Sequence, residues 1–235
     1  MCSAGSSMLM MCVSTSYNGP VASYYPVALD LRRRLCVVVG GGLVAERKVR
    51  NLLECQAEVL VIAPQPTEQL RNFALKGTIR LEEREYRPGD LTEAFLAMGA
   101  TDDPQVNEAV FREAEERGLL VNIADDPARC NFIVPSTLRR GDLAIAITTG
   151  GKSPALARQL RQELEELYPP EYAQYLEDLA CYRRQLRERL PDSAVREATW
   201  RELMSKGILE LLRQERPEDA RAMLQEVLAR AAEGK

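Results

Sequence analysis

The chain has 235 residues, of which 46% are apolar, so it can form one large or two small domains with a sizeable core. Its net charge of −4 argues against general nucleic-acid binding, and no apolar run approaches the roughly 18 residues that a transmembrane helix needs. The chain contains no histidine, which excludes Ser-His and Cys-His catalysis and every His-ligated metal site, and we predict no bound metal.

Residues 1–23 are rich in serine, methionine and small side chains, which predicts a disordered N-terminal tail. No basic segment precedes the short apolar stretch in this tail, so a secretory signal is not expected. The other interpretation is translation that begins upstream of the natural start, with Met8, Met10 or Met11 as the natural first residue. The six cysteines are scattered and form no Cys-x-x-Cys pair, which is typical of reduced thiols in a cytoplasmic protein.

The first predicted element is a buried strand that runs into three glycines, followed by a helix with one apolar face. The spacing Gly40-x-Gly42-x-x-Ala45 is typical of the phosphate-binding turn of a dinucleotide fold, with a plain tight turn as the alternative. Gly40 would make the turn, Gly42 would let the backbone approach a pyrophosphate, and Ala45 would let the helix pack close to the strand. The predicted NAD-binding residues of this turn are Gly40, Gly42, Leu43, Val44 and Ala45.

Strands and helices continue to alternate up to residue 134, which predicts a parallel sheet with helices on both faces. The predicted strands lie at 35–39, 58–62, 79–83, 94–98, 119–123 and 132–134. The predicted helices of this half lie at 43–55, 67–76 and 104–117.

The pattern changes after Pro135. A compact apolar strand at 142–148 has no obvious partner in the preceding sheet. Because an unpaired apolar edge favours contact with a second molecule, we predict a homodimer built largely by 136–167. A helix follows, with Ser153 as its N-cap and Pro154 at its first position. Further helices are predicted at 171–190, 192–212 and 217–232.

The second predicted strand departs from the general dinucleotide fingerprint. An acidic residue usually ends this strand and holds the ribose hydroxyls, whereas here the strand runs into Ala63-Pro64-Gln65. No arginine follows at once to hold a 2′-phosphate, so NAD is favoured over NADP. We predict that Pro64 and Gln65 contact the cofactor.

Acidic residues also follow the fourth and fifth predicted strands. Thr101 and Asp102 are expected near the nicotinamide ribose, although Asp102 is equally consistent with a cap for the helix that begins near Pro104. Asp125 follows the fifth strand at the carboxyl end of the sheet, where ligands bind in open α/β folds. Asp125 is therefore a candidate base, with an ordinary turn residue before Pro127 as the alternative.

Six stretches along the chain, taken in order, carry a resemblance to a known family. They are Tyr25-Pro-Val27, Val39-Gly-Gly-Gly-Leu-Val-Ala-Glu-Arg-Lys48, Ala100-Thr-Asp-Asp103, Asn122-Ile-Ala-Asp125, Phe132-Ile-Val-Pro-Ser136 and Thr149-Gly-Gly-Lys-Ser-Pro-Ala-Leu-Ala-Arg158. This combination resembles the precorrin-2 dehydrogenase family, the N-terminal dehydrogenase–ferrochelatase part of siroheme synthases, whose members oxidise precorrin-2 to sirohydrochlorin. The resemblance covers about residues 24–190 and is weaker in the last helices.

The resemblance implies an α/β fold in which a Rossmann-like parallel-sheet domain is followed by a dimerisation segment and a C-terminal helical domain. The expected boundaries are 24–135 for the NAD-binding domain, 136–167 for the dimerisation segment and 168–235 for the helical domain. The resemblance also implies a homodimer that binds the tetrapyrrole in a cleft between domains. It makes Asp125 the main catalytic candidate.

The substrate that the resemblance implies is a polycarboxylate, so its site needs cations and helix N-termini. The glycine-rich helix start at 149–154 suits an anion. Lys152 and Arg158 follow with positive charge, and a solvated helix face is the alternative interpretation. The predicted substrate-binding residues are Thr149, Lys152, Ser153 and Arg158.

Two other sets of residues are interpreted as structural. Arg47, Lys48 and Arg50 are expected on the surface of the first helix. At helical spacing, Tyr168, Tyr172 and Tyr175 are expected to pack rather than to line a macrocycle cleft.

Other functions stay open on the sequence alone. A bifunctional enzyme would also insert Fe²⁺ into sirohydrochlorin at the same site, although the absence of histidine counts against this. A nucleotide-sensing regulatory module and a methyltransferase also place a glycine turn after a first strand. The regulatory module normally keeps an acid at the end of the second strand and does not explain 149–158, and the methyltransferase fits Ala45 and the later motifs less well.

Overall fold

The computed structural model describes residues 24–205 and 207–232; the predicted tail and its candidate start residues lie outside the described residues. The strands are β1 (Leu35–Val39), β2 (Glu58–Ile62), β3 (Arg80–Glu82), β4 (Leu96–Gly99), β5 (Leu120–Ile123), β6 (Ser136–Arg140) and β7 (Leu143–Ile147). The helices are α1 (Leu43–Glu54), α2 (Glu68–Leu75), α3 (Pro104–Glu116), α4 (Pro154–Leu167), α5 (Tyr172–Arg189), α6 (Ser193–Ser205), α7 (Ile208–Arg213) and α8 (Pro217–Ala232), with a short 3₁₀ turn at Pro127–Arg129.

The first five strands form one parallel sheet in the order β3-β2-β1-β4-β5. The chain runs outward from β1 to β3 and then returns to the other side of β1 to form β4. The direction in which strands are added to the sheet therefore reverses between β1 and β4. Open α/β sheets bind their ligands at such a switch point, outside the carboxyl ends of the strands. The predicted Rossmann-like sheet is confirmed.

Both faces of the sheet are covered, which explains the continuous apolar run of β1. On one face, α1 and α2 pack on alternate strand residues such as Val38 and Val61. On the other face, α3 packs on residues such as Val37 and Val121. The 83–95 connection also covers this second face, and it crosses from β3 to β4 without a helix.

A buried carboxylate fastens this connection to α3. Glu113 is 8% exposed and lies on the sheet side of the helix. Its carboxylate accepts hydrogen bonds from the Tyr86 hydroxyl at 2.5 Å, the N–H groups of Gly89 and Leu91 at 2.9 and 3.2 Å, and Arg117 Nε at 2.9 Å. Burial alone would raise the pKa of Glu113, but these four hydrogen bonds outweigh burial and hold the pKa below its usual value.

Glu113→Gln is expected to lower the free energy of unfolding by about 2–4 kcal/mol at pH 7, because several donors lose a charged acceptor. A lowered folded-state pKa stabilises the protein above the unfolded pKa of about 4.3, and this contribution is lost as pH falls through the folded pKa. The difference between parent and variant in urea unfolding should therefore shrink at low pH. Glu115→Gln, at an exposed position on the same helix, is the control. Equal stability of the two variants would contradict the assigned role.

Two strands form a separate antiparallel hairpin, and one sequence-based expectation for this region was wrong. The predicted strand at 132–134 is not a strand, and β6 follows it at Ser136–Arg140. The apolar Phe132-Ile-Val stretch suggested a strand, but it precedes Pro135, which cannot donate to a ladder. β7 has no partner in the five-stranded sheet, as expected, but it is not an unpaired strand, because it pairs with β6 along its whole length.

The remaining helices form a second apolar core. Tyr172 and Tyr175 are each 4% exposed and pack with residues of α6 to α8, so their interpretation as packing residues is confirmed. The predicted helix at 192–212 is divided into α6 and α7 at Gly207, whose φ of 70° breaks the helical path. In the described parts of the chain, no helix combines the length and the apolar character that crossing a bilayer requires.

Candidate dinucleotide and substrate site

The glycine turn lies at the switch point of the sheet, and its first two glycines have no room for a side chain. Gly40 has a φ of 126°, and a Cβ built there would lie 2.1 Å from the Ala100 carbonyl oxygen after β4. A Cβ on Gly41 would lie 2.6 Å from the carbonyl oxygen of Gln65. The turn is therefore clamped between the ends of β2 and β4.

Gly42 differs from its two neighbours, because a Cβ there would meet nothing within 4 Å. It is the N-cap of α1 and has no side chain to satisfy the first N–H groups of the helix. These N–H groups and the positive end of the helix dipole suit a pyrophosphate in the open space beside Gly42. Ala45 is fully buried, as the predicted close packing requires, whereas Leu43 is 78% exposed and Val44 is half-buried. The residues present thus fit a dinucleotide.

The loop after β2 lies against this turn. The Thr67 N–H donates to the Gly41 carbonyl at 2.9 Å, and the Thr67 hydroxyl donates to Glu46 on α1 at 3.1 Å. Pro64 and Gln65 are exposed at the rim of the same crevice. Their position agrees with the predicted cofactor contact, which stays a prediction.

The loop after β4 contains Asp102 and Asp103, and only Asp103 acts as the cap of α3. Asp103 is the N-cap of α3, and its carboxylate accepts from Gln105 N at 2.8 Å. Asp102 is exposed and has no side-chain hydrogen bond or ion pair within 24–205 and 207–232. The Thr101 carbonyl accepts from Asn107 Nδ2 at 2.9 Å, which holds the loop. Thr101 and Asp102 thus lie beside the glycine turn.

In the loop after β5, the carboxylate of Asp126 is paired, whereas that of Asp125 is not. The carboxylate of Asp126 pairs with Arg129, which also binds Glu108 on α3 at 2.5 Å. The carboxylate of Asp125 is exposed and has no hydrogen bond or ion pair to any described residue. Asp125 has a φ of 58°, a left-handed conformation that aspartate tolerates better than most residues. Asp125 is therefore the carboxylate of this loop that is available to a ligand.

Lys48 lies in the same region, and the expectation of a surface residue was wrong. Its side chain is half-buried, and Nζ donates to Asn122 Oδ1 on β5 at 2.7 Å. Burial lowers the pKa of Lys48; the positive charge of Arg47 acts in the same direction, whereas Cys130 and Asp125 oppose it. Sequence analysis missed this contact because it joins residues 74 positions apart.

The four predicted substrate-binding residues lie on another part of the chain. Ser153 caps α4 and accepts from Leu156 N at 3.2 Å, while its own N–H donates to the Thr149 hydroxyl at 2.9 Å. Lys152 and Arg158 are exposed. Within 24–205 and 207–232, no hydrogen bond or ion pair joins these four residues to the dinucleotide-binding domain. A single chain therefore does not bring them to Asp125 through direct polar contacts.

No described group of three or more cysteine, aspartate or glutamate side chains is arranged to hold a metal ion.

A parallel sheet whose first strand ends in a clamped glycine turn at an uncapped helix N-terminus defines a dinucleotide-binding protein. Two free carboxylates, Asp102 and Asp125, follow adjacent strands at the same edge of the sheet.

Family models match three consecutive parts of the chain. They are described as putative NAD(P)-binding at residues 27–136, sirohaem biosynthesis protein central at 140–167, and sirohaem synthase dimerisation region at 173–228. The chain belongs to the sirohaem synthase family. The predicted nicotinamide dinucleotide cofactor is confirmed at the level of an NAD(P)-binding domain.

Full-length relatives and one solved structure agree with this assignment. The siroheme synthase of Nitrosococcus oceani is 38% identical over 205 residues, which are 87% of this chain and 44% of that protein. The siroheme synthase of Pseudomonas paraeruginosa is 39% identical over 206 residues, with 88% and 44% covered. The chain thus spans less than half the length of these relatives. The solved structure of SirC, a precorrin-2 dehydrogenase, matches with a TM-score of 0.73 and 28% identity, covering 87% of this chain and 98% of that chain.

Proposed function

We propose that the protein is an NAD-dependent dehydrogenase that oxidises precorrin-2 to sirohydrochlorin in siroheme biosynthesis. The observation that carries this proposal is the match to SirC, because the chain covers 98% of that precorrin-2 dehydrogenase as well as matching its fold. The clamped glycine turn and the free Asp125 supply the parts that such a reaction needs. As a member of this biosynthetic family, the protein is proposed to work in the cytoplasm.

The reaction is a two-electron oxidation. One C–H bond of the tetrapyrrole is broken with loss of a hydride, a proton leaves from the same ring system, and a new double bond forms. NAD, when bound, supplies the hydride acceptor. The proton needs a base or a route to water.

The described residues divide this work between them. The first N–H groups of α1, from Leu43 onward, hold the pyrophosphate, and the absence of a side chain at Gly42 leaves the space for it. Thr101 and Asp102 face the ribose next to the nicotinamide. Asp125 accepts the proton, and its lack of any other described partner keeps the carboxylate available. Thr149, Lys152, Ser153 and Arg158 bind the substrate carboxylates.

Anaerobic incubation of the protein with precorrin-2 and NAD tests this function. The expected result is the absorbance spectrum of sirohydrochlorin together with one NADH per precorrin-2 oxidised. NADP in place of NAD tests cofactor choice, and NAD is expected to be preferred. No spectral change with intact NAD binding would overturn the proposal.

The protein is further proposed to act as a homodimer, as the dimerisation-region match at 173–228 supports. The interface that the sequence predicts at 136–167 overlaps the family model for the sirohaem central segment at 140–167. It does not overlap the model for the dimerisation region at 173–228. Sedimentation at micromolar concentration is expected to show a dimer. Leu160→Glu, which places a charge on a leucine of α4 that is 37% exposed, should weaken the dimer if 136–167 takes part. A parent that sediments as a monomer would contradict the proposal.

Iron insertion into sirohydrochlorin stays an alternative, and no contact among the described residues favours it specifically. A separate role as an NAD-sensing module or a methyltransferase receives no support from the family models.

A further inference from the structure

Lys48 is a charged residue of the dinucleotide-binding domain to which the proposed reaction gives no role. It lies on α1, three residues after Ala45, and therefore belongs to the helix whose N-terminus faces the cofactor. Its side chain is half-buried, whereas its neighbour Arg47 is exposed. The hydrogen bond from Nζ to Asn122 Oδ1, at 2.7 Å, joins this helix to the edge strand β5.

The amide that receives this hydrogen bond is itself fixed. Asn122 Nδ2 donates to the Phe132 carbonyl at 3.1 Å and lies 3.6 Å from Cys130 Sγ. Because the amide nitrogen is committed to the 130–132 segment, the amide oxygen points toward Lys48. Asn122 precedes Asp125 by three residues, so the amide lies at the base of the loop that presents the Asp125 carboxylate.

The surroundings of the ammonium group affect its pKa in both directions. Burial lowers the pKa of Lys48, Cys130 and Asp125 raise it, and Arg47 on its own helix lowers it. Asn122 is the one described acceptor of a hydrogen bond from this ammonium, which has three donors.

We propose that Lys48 is a positioning residue that fixes the Asp125 loop relative to the cofactor turn. It does so by holding the Asn122 amide, three residues before Asp125, through the hydrogen bond from Nζ. The same helix presents its N-terminus to the pyrophosphate. Helix α1 therefore positions both the cofactor and the loop that carries Asp125. This inference rests on the proposed function, because Asp125 is taken as the proton acceptor.

The kinetic test compares Lys48→Met with Lys48→Arg. Methionine keeps the apolar stem of the side chain and removes its charge and its donors. For Lys48→Met we expect kcat to fall on the order of 10²-fold, as misplacement by about 1 Å can cause, with the KM for precorrin-2 and the Kd for NAD unchanged. Lys48→Arg keeps a donor and a charge and should recover most of the lost kcat. The matched control is Arg47→Met, which makes the same change in net charge one residue away and should keep the parental kcat.

A second measurement needs no activity. Hydrogen exchange of the protein without ligands is expected to be faster across 120–132 in Lys48→Met than in the parent or in Arg47→Met, with β1 and β2 unchanged. Parental kcat in Lys48→Met, equal losses in the two methionine variants, or unchanged exchange at 120–132 would overturn the positioning role. A parent that binds NAD but does not oxidise precorrin-2 would instead reject the proposed function, and the exchange result would then decide the structural part of the inference.

Discussion

Gly42→Asp is expected to weaken NAD binding on the order of 10³-fold without harm to the fold. Gly42 has φ and ψ of −82° and −174°, a conformation open to any residue, and its missing Cβ would point into free space. Aspartate is also a better N-cap than glycine by a few tenths of a kcal/mol, so the free energy of unfolding should be equal or slightly higher. The variant should therefore lose affinity for NAD without losing stability.

The loss of affinity follows from charge. A carboxylate about 4 Å from a pyrophosphate charge costs about 4 kcal/mol at an effective dielectric constant of about 20, which is on the order of a 10³-fold weaker Kd. Gly42→Asn has nearly the same size and capping ability without the charge, and should lose much less affinity. Calorimetric titration with NAD, together with thermal unfolding of each variant, provides both measurements. Parental NAD affinity in a folded Gly42→Asp protein would show that the cofactor lies elsewhere.

The sheet domain was largely predictable because its signals are local. A continuous apolar run such as 35–39 predicts a strand buried on both faces, and the glycines that follow it mark the turn. Pro104 and Gly118 mark the ends of α3 for similar reasons, because proline presets the helical φ at the first position and glycine accepts the positive φ that ends the helix. The order of the strands was not stated from the sequence, because pairing depends on contacts between distant segments.

The hairpin shows what local patterns miss. The residues of β6, Ser-Thr-Leu-Arg-Arg, have little apolar character, so this strand was not predicted. The strand exists because β7 offers it a ladder of backbone hydrogen bonds, and Leu138 is the residue of β6 that becomes buried. The split at Gly207 was missed for a related reason, because a glycine inside an apolar helical pattern is often tolerated.

The candidate site was predictable in its positions but not in its contacts. Sequence alone placed Asp102 and Asp125 after strands, yet it did not reveal that Asp103 and Asp126 are occupied as a helix cap and an ion pair. The half-buried state of Lys48 was also hidden, because a basic residue in a helical pattern is usually solvated. The substrate-binding residues stay predictions, because no hydrogen bond or ion pair within the described residues joins them to the dinucleotide-binding domain.

Asp125→Asn is expected to abolish precorrin-2 oxidation while NAD binding is retained. The amide keeps the size of the side chain but cannot accept a proton as a carboxylate does, and loss of a general base typically costs about 10²–10⁴ in rate. Asparagine also tolerates a φ of 58° as well as aspartate does, so the loop should keep its backbone conformation. Because the chain contains no histidine, rescue would require another carboxylate, and Asp102 is the nearest candidate in the strand order.

The adjacent residue provides the matched control for this variant. Asp126→Asn removes the same charge from the same loop, but that carboxylate is already paired with Arg129 and is not available to a substrate. Initial rates of NADH formation should therefore fall far more in Asp125→Asn than in Asp126→Asn, with equal Kd values for NAD. Near-parental turnover of Asp125→Asn would remove Asp125 from the chemistry. Loss of both turnover and NAD affinity would instead make Asp125 a residue that positions the cofactor.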